Sequence, residues 1–349
     1  MSKINTIKKK NLFPNSAMVE ITRRCNFHCV HCYLGNLRES NKEMSYRDIC
    51  SVFDQLADMG NLYLCITGGE PLVSKDFWRI LKYAKKKSFL IDIKTNGYFI
   101  TEEVAKCFAD IYLGVVEITI YGMNAKSYQA VTGVREGFKR VMLAIDVLRK
   151  FKVPFKIGMK VLRQNFSDVK AFRKFTRELG ISCVMAIHIM NKLDKTGFKQ
   201  PCQIDDSMVE SFFLSNPDQL ELARVMTDYP RCRKIDGSIS ISSRGEVSPC
   251  LLIPHHVTIY DRPISTIYSY NSLFKRIRNL KRSDFTYQCQ HCKLVYQCES
   301  CPAIFFLNSG NPTSPNPAVD CHYAQLKQVC YDKIEARKKQ GVKDESCSF

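Results

Sequence analysis

Cys25, Cys29 and Cys32 fall within eight consecutive positions of the stretch "CNFHCVHCY". Thiolates this close together bind metal, and the informative point is that there are three of them and not four. A structural zinc ion takes four ligands, with His28 or His31 as the available fourth. A cubane iron–sulfur cluster held by three cysteines leaves its fourth iron open to a small ligand. A second concentration of cysteines lies in the last third of the chain: Cys232 and Cys250, then Cys289, Cys292, Cys298 and Cys301 in "CQHCKLVYQCESC", and Cys321 in "VDCHYAQ". Twelve residues separate Cys232 from Gly245, and four separate Gly245 from Cys250. Taken alone, the later run also suits a zinc ribbon.

Disulfides are a poor account of these cysteines. Their number, 17, is odd, 349 residues is far too long for a stapled miniprotein, and the lysine-rich start "MSKINTIKKKNLF" has no apolar run to follow it. No stretch approaches the roughly 20 apolar residues of a membrane span. The sequence reads as cytoplasmic, and in a reducing compartment clustered cysteines mean metal. Four others, Cys50, Cys65, Cys107 and Cys183, fall in helix or strand patterns and read as core packing, whereas Cys330 and Cys347 lie in a charged, mobile C-terminal region.

The elements that must position the front cysteines repeat along the chain. Apolar, β-branched runs at 17–22, 61–67, 89–96, 114–121, 155–162 and 182–189 predict strands. Helical patterns alternate with them, near 45–60, 75–87, 101–109, 136–150 and 167–179. In the first of these helices, Ser45 is the expected N-cap with Asp48 three residues on, and Gly60 is the stop. Six βα units in succession imply a parallel sheet, open or curled into a partial barrel. In such sheets the chemistry collects at the carboxyl ends of the strands. The cysteine cluster follows the first strand, "GGEP" (68–71) follows the second and "TNG" (95–97) ends the third, so all three are expected at one face.

The Cys-x3-Cys-x2-Cys spacing, followed one βα unit later by Gly-Gly-Glu-Pro, resembles the radical S-adenosylmethionine (SAM) enzymes. The resemblance implies a partial (β/α)6 TIM-like barrel and a [4Fe-4S] cluster on Cys25, Cys29 and Cys32 that chelates SAM through its open iron. It also implies a SAM site that includes Gly68, Gly69 and the carboxylate of Glu70, with Thr95, Asn96, Thr119 and Tyr121 near the ribose or carboxylate, and Asn165 more remotely. The tail resembles the SPASM extension of peptide-modifying members. That likeness implies auxiliary [4Fe-4S] clusters, one on Cys289, Cys292, Cys298 and Cys321 and another on Cys232, Cys250 and Cys301. Two residues stand between Cys298 and Cys301 where relatives usually have three, and Cys202 is the substitute for a missing fourth ligand near Cys232. The expected domains are an N-terminal extension (1–16), the barrel (17–200), a linker (201–230), the SPASM domain (231–325) and a tail (326–349).

The implied activity is reductive cleavage of SAM to a 5′-deoxyadenosyl radical that abstracts hydrogen from an unactivated carbon. Auxiliary clusters that take the electron left behind make an oxidative crosslink, thioether or carbon–carbon, in a ribosomally made peptide the leading reading. Alternatives are the same chemistry on a small molecule or tetrapyrrole, peptide epimerisation or sulfatase maturation, and a non-catalytic iron–sulfur or zinc protein that binds RNA. The formal net charge is +18, and cluster charges would reduce it to roughly +14. An acidic leader on a precursor peptide suits that excess, while the Lys8–Lys10 and Lys85–Lys87 runs read as solvated faces, without the aromatic interleaving of a nucleic-acid module. The 16 residues before the first strand are too few for a fused leader-recognition domain. Recognition is therefore expected to be direct, to come from a separate protein or to be absent, and a flavodoxin or ferredoxin-type donor is expected to supply electrons.

Overall fold

The computed structural model describes residues 13–39, 42–181, 183–194, 201–220, 237–253, 256–298 and 301–339. Six strands follow the predicted runs: β1 (Ser16–Glu20), β2 (Tyr63–Thr67), β3 (Leu90–Thr95), β4 (Val116–Ile120), β5 (Phe155–Lys160) and β6 (Cys183–Ala186). All pair in parallel with their sequence neighbours. The connecting helices are α1 (Tyr46–Asp58), α2 (Phe77–Lys86), α3 (Glu102–Asp110), α4 (Ala125–Thr132), α5 (Gly137–Lys150) and α6 (Val169–Glu178).

The period-two alternation of the strands decides which residues meet solvent. Val19, Ile66, Ile93 and Val116 stand in register across four strands, fully buried beneath the helices. On the opposite face the registers run Met18, Cys65, Asp92 and Lys94, Glu117, Lys156. One face is hydrocarbon and the other polar, as an open barrel with a wet interior requires.

Helix punctuation is local. Ser45 and Asp48 form a reciprocal capping box at α1, and Gly60 follows the helix with φ of 75°. The sequence reading has no α4. Its start is organised by Asn124, whose side chain accepts from the N–H groups of Lys126 and Ser127, and by the buried Asp168. Asp168 accepts from Met123 N at 2.7 Å, from Asn124 Nδ2 at 3.0 Å and from the Ser127 hydroxyl.

Two strands extend the sheet beyond the six. β7 (Ser238–Ile241) pairs in parallel with β1, and β8 (Val247–Ser248) turns back antiparallel, giving the order β6-β5-β4-β3-β2-β1-β7-β8. A segment the sequence reading gives to the C-terminal domain thus completes the barrel's own sheet. In the stretch read as a linker, α7 (Asp206–Ser215) forms a regular helix. Then come α8 (Ile264–Tyr270), α9 (Ser272–Arg278), α10 (Tyr287–Gln290), α11 (Pro302–Ser309) and α12 (His322–Lys339). α12 lies on α7, with Lys333 Nζ 2.5 Å from Glu210 Oε1 and His322 Nε2 2.9 Å from Asp206 Oδ2. Cys330 is 1% exposed in this packing, so the stretch read as mobile is, as far as Lys339, a docked helix. Cys107 also departs from expectation, being exposed on α3, and Cys347 lies outside the described residues. No helix among the described residues is long and apolar enough to cross a membrane.

Candidate active site

At the carboxyl ends of β1 to β6 a cavity of about 340 Å³ opens on the polar face of the sheet. Cys25, Cys29 and Cys32 line it together with Gly68, Gly69, Thr95, Asn96 and Thr119. The inward positions of the strands supply the rest of the wall: Thr67, Lys94, Glu117, Tyr121 and Lys160, with Ile189 and Met190 after β6.

The loop that carries the cysteines is pinned on both sides. Thr22 Oγ1 donates to Glu43 Oε1 at 2.7 Å, and Arg23 N reaches the same oxygen at 2.8 Å. Arg23 forms a buried ion pair with Glu20 at 3.0 Å, and Ser243 N, beyond β7, donates to the same carboxylate oxygen at 3.0 Å. From β2, Gly69 N donates to Thr22 O and Glu70 N to Arg24 O, both at 2.9 Å. This approach explains the glycines: a Cβ on Gly68 would sit 2.4 Å from Thr22 O, and one on Gly69 would sit 2.4 Å from Arg23 O. They are bare because the cysteine loop lies against them, and the resulting wall has no side chain.

Glu70 has a different place from the one its motif implies. It is fully buried and does not line the cavity. Its Oε1 accepts from Thr95 Oγ1 at 2.8 Å and from Leu72 N at 3.1 Å, and its Oε2 accepts from Asn96 N at 2.7 Å. Asn96 in turn donates through Nδ2 to Asn26 Oδ1 at 2.8 Å, beside Cys25. Glu70 therefore holds the residue that holds the cysteine loop. Asn165 is likewise fully buried, and its amide joins the ends of β4 and β5 through Tyr121 O and Lys160 O.

Burial of the thiols is their main electrostatic feature. It pushes the Cys25 thiol up to about 11, with smaller contributions from Glu70 and Cys32, and it raises Cys29 further. Such thiols become thiolates together only when a bound metal displaces their protons to solvent. Burial, with Lys160 nearby, lowers His31 to about 4, so its ring is neutral at ordinary pH. The His31 Nδ1 atom is buried without a hydrogen-bond partner, and the ring lies 5.4 Å from that of Tyr121. Phe27, 1% exposed, packs edge-on against Tyr98, Tyr121 and Tyr128. The sequence reading passes over Phe27, Lys160 and Met190. The period-two pattern of β5 was the available signal for Lys160. Among the described residues no three His, Cys, Asp or Glu side chains converge as ligands of one ion do. A three-thiol donor set around a cavity, a side-chain-free wall and an unpartnered buried ring nitrogen fit a cluster with an organic ligand.

Residues 19–176 match the Radical SAM superfamily. That stretch, a little under half of the chain, is a radical SAM domain. A radical SAM domain works with a [4Fe-4S] cluster and SAM, and the chain is accordingly an enzyme. It is 23% identical to the AdoMet-dependent heme synthase of Methanosarcina barkeri over 74% of this chain and 83% of that one. It is 34% identical to mycofactocin maturase MftC of Mycolicibacterium smegmatis over 46% of this chain and 41% of the relative, so it spans less than half of that protein. Its fold is that of Streptococcus suis SuiB, solved with precursor peptide SuiA, at a TM-score of 0.67 and 18% identity, covering 90% of this chain and 77% of that one. The structure of anSMEcpe with bound AdoMet and the Cp18Cys peptide matches at a TM-score of 0.70 and 17% identity, covering 94% of this chain and 98% of that one.

The fold of this radical SAM enzyme also sorts its later cysteines. Cys292 and Cys298 lie close enough to Cys289 to add to the rise that burial gives its thiol, and all three lie close enough to Cys321 to do the same there. Cys250 and Cys301 form a separate pair, packed on Ile253, Ile277, Leu280 and Ala303. Cys232 lies outside the described residues. Cys202 is in neither group: it is 2% exposed among Val131, Leu162 and Ile189. It packs there against apolar side chains.

Burial of Glu70 has a measurable consequence. Burial raises its carboxyl from 4.5 to about 7, against the three hydrogen bonds that lower it. A raised folded-state value stabilises the fold fully below about pH 4.5, and that contribution is lost as pH rises through about 7. The depressed His31 acts in the opposite sense over an overlapping range, so comparison with Glu70→Gln isolates the carboxyl. In chemical denaturation of the metal-free chain, Glu70→Gln is expected to cost about 1–3 kcal/mol at pH 5, because the amide brings two N–H to the three surrounding donors where the protonated carboxyl brings one O–H. The deficit should shrink towards pH 8. A deficit independent of pH would show that Glu70 does not titrate in this range.

Proposed function

We propose that this radical SAM enzyme modifies a ribosomally made precursor peptide, most simply by an oxidative crosslink, thioether or carbon–carbon. The observation that carries the reading is the polar inner face of the sheet, where Lys94 and Glu117 pair at 2.5 Å with Asp92, Lys156 and Lys160 on the same side. A macrocycle such as haem calls for apolar and aromatic walls, whereas a peptide brings amides and polar side chains that a charged, hydrated face satisfies. The sheet is also open, with β6 and β8 as its edges, which suits a chain-shaped substrate. The maturase MftC and the peptide-bound SuiB support a peptide. The match to a heme synthase over most of this chain keeps a tetrapyrrole as the second reading.

In this reading Cys25, Cys29 and Cys32 would hold a [4Fe-4S] cluster with one iron left for SAM. Gly68, Gly69, Thr95, Asn96 and Thr119 would form the SAM wall, and Glu70 would position Asn96. Bound together, cluster and SAM supply hydrogen-atom abstraction from an unactivated carbon. The chain's own residues aim and shield that chemistry: Phe27, Tyr98, Tyr121 and Tyr128 close the floor against water, and neutral His31 faces the cavity without bringing a charge. Cys289, Cys292, Cys298 and Cys321 would hold one auxiliary cluster, and Cys250 and Cys301 with Cys232 another. Acceptors of that kind suit an oxidative product. The partners in this reading are the precursor peptide and a flavodoxin or ferredoxin-type donor, with a separate leader-recognition protein where recognition is not direct.

The two substrate classes separate in a titration. Iron porphyrin added to the loaded enzyme is expected to give no saturable change in its absorbance band. A one-to-one binding curve displaced by SAM-site variants would overturn the peptide reading in favour of the tetrapyrrole.

A further inference from the structure

Asp320 is a buried carboxylate, 7% exposed, beside the later cysteines. It lies in a one-turn π-helix, Pro317–Cys321, and immediately precedes Cys321. With Cys298 and Cys301 it lines a small cavity. Both oxygens are held by N–H donors: Oδ1 accepts from Asn308 Nδ2 at 2.7 Å, and Oδ2 accepts from Asn316 N at 2.7 Å. Asn308 is fixed in turn, its Oδ1 accepting from Asn191 Nδ2 at 2.7 Å. Asn191 directly follows Ile189 and Met190, which line the active-site cavity. A continuous line of buried amides therefore runs from the wall of the active site to the flank of the cysteine group, and it ends on a charge.

Two amide donors on one carboxylate favour its ionised form. An anion fixed in a buried place beside an iron–sulfur cluster opposes reduction, because the reduced cluster carries one more negative charge. Each N–H bond to the carboxylate spreads part of that charge and weakens the effect. We infer that Asp320 is a positioning residue whose fixed charge holds down the reduction potential of the cluster on Cys289, Cys292, Cys298 and Cys321, with Asn308 setting how much of that charge the cluster feels. The inference rests on the reading of these four cysteines as cluster ligands. It deepens that reading by assigning Asp320 a part in setting this cluster's potential.

The test is a redox titration at pH 8 of the anaerobically reconstituted holoenzyme, followed by electron paramagnetic resonance and accompanied by iron counts. Asp320→Asn removes the charge and is expected to move one midpoint potential upward, leaving the others in place. Asn308→Leu keeps the charge, takes away a donor and excludes water, and is expected to move the same midpoint downward. Opposite shifts from two variants of similar volume are not what a structural defect produces. The inference is overturned if neither midpoint moves, if both move in one direction, or if both variants lose this cluster's iron. Should only Asp320→Asn fail to load, the sign of the Asn308→Leu shift decides. Failure of the wild-type chain to load iron at these cysteines, shown by unchanged iron content in Cys289→Ala, would instead overturn the ligand reading beneath it.

Discussion

Cys29→Ala is expected to abolish formation of 5′-deoxyadenosine from SAM and to remove the iron held by the front cysteines. Burial raises the Cys29 thiol beyond that of Cys25, and both Cys25 and Cys32 act to raise it further while the Tyr121 hydroxyl hydrogen-bonds to it. Three buried like charges so close together are tenable only around a cation that replaces their protons. With one thiol gone, two irons of the cubane at most keep a protein ligand. Assembly on the intact loop should also release protons, measurable in weakly buffered solution during anaerobic reconstitution. Residual SAM cleavage in Cys29→Ala with full iron content would mean that another side chain completes the set.

The second large effect is expected at Gly69. A methyl group there meets Arg23 O at 2.4 Å and Arg24 O at 2.5 Å, both of them backbone atoms that no rotamer change can move. The strand end and the cysteine loop would have to part, breaking the bonds from Gly69 N to Thr22 O and from Glu70 N to Arg24 O. Overpacking of this kind costs about 1–3 kcal/mol or more, and here the displaced backbone carries Cys25. Gly69→Ala should therefore fold less stably, load less iron at the front site and lose most SAM cleavage. Gly60→Ala is the control: its added Cβ meets nothing within 4 Å, so it should cost stability through its φ of 75° without touching iron loading. Equal iron loading by the two variants would contradict the packing role given to Gly69.

The fold was legible where local chemistry is repeated. Runs such as "GVVEITIY" and "FKIGMKVL" announce strands because β-branched and apolar residues crowd them, and Ser45, Asp48 and Gly60 mark the limits of α1 with their own hydrogen bonds and backbone angle. What stayed hidden depends on distant partners. α4 needs Asp168, some 40 residues away, to hold its first turn, and β7 finds β1 across more than 200 residues. Residues around the site divide the same way. The type and spacing of Cys25, Cys29 and Cys32 carry their chemistry on the surface of the sequence. Glu70 does not, because only the closure of Thr95 and Asn96 over it turns an expected ligand into a buried brace. Likewise the apolar surroundings of Cys202 come from Val131, Leu162 and Ile189, all distant in sequence.

The measurement that bears most directly on peptide modification by radical chemistry is untargeted mass spectrometry of a native-host extract incubated anaerobically with enzyme, SAM and reductant. The control is the variant with Cys25, Cys29 and Cys32 all changed to alanine. A short peptide that loses two hydrogens with the active enzyme and not with the control is the predicted result, and it would identify the substrate as well. Peptides that stay unchanged while a small metabolite shifts in mass would contradict the account.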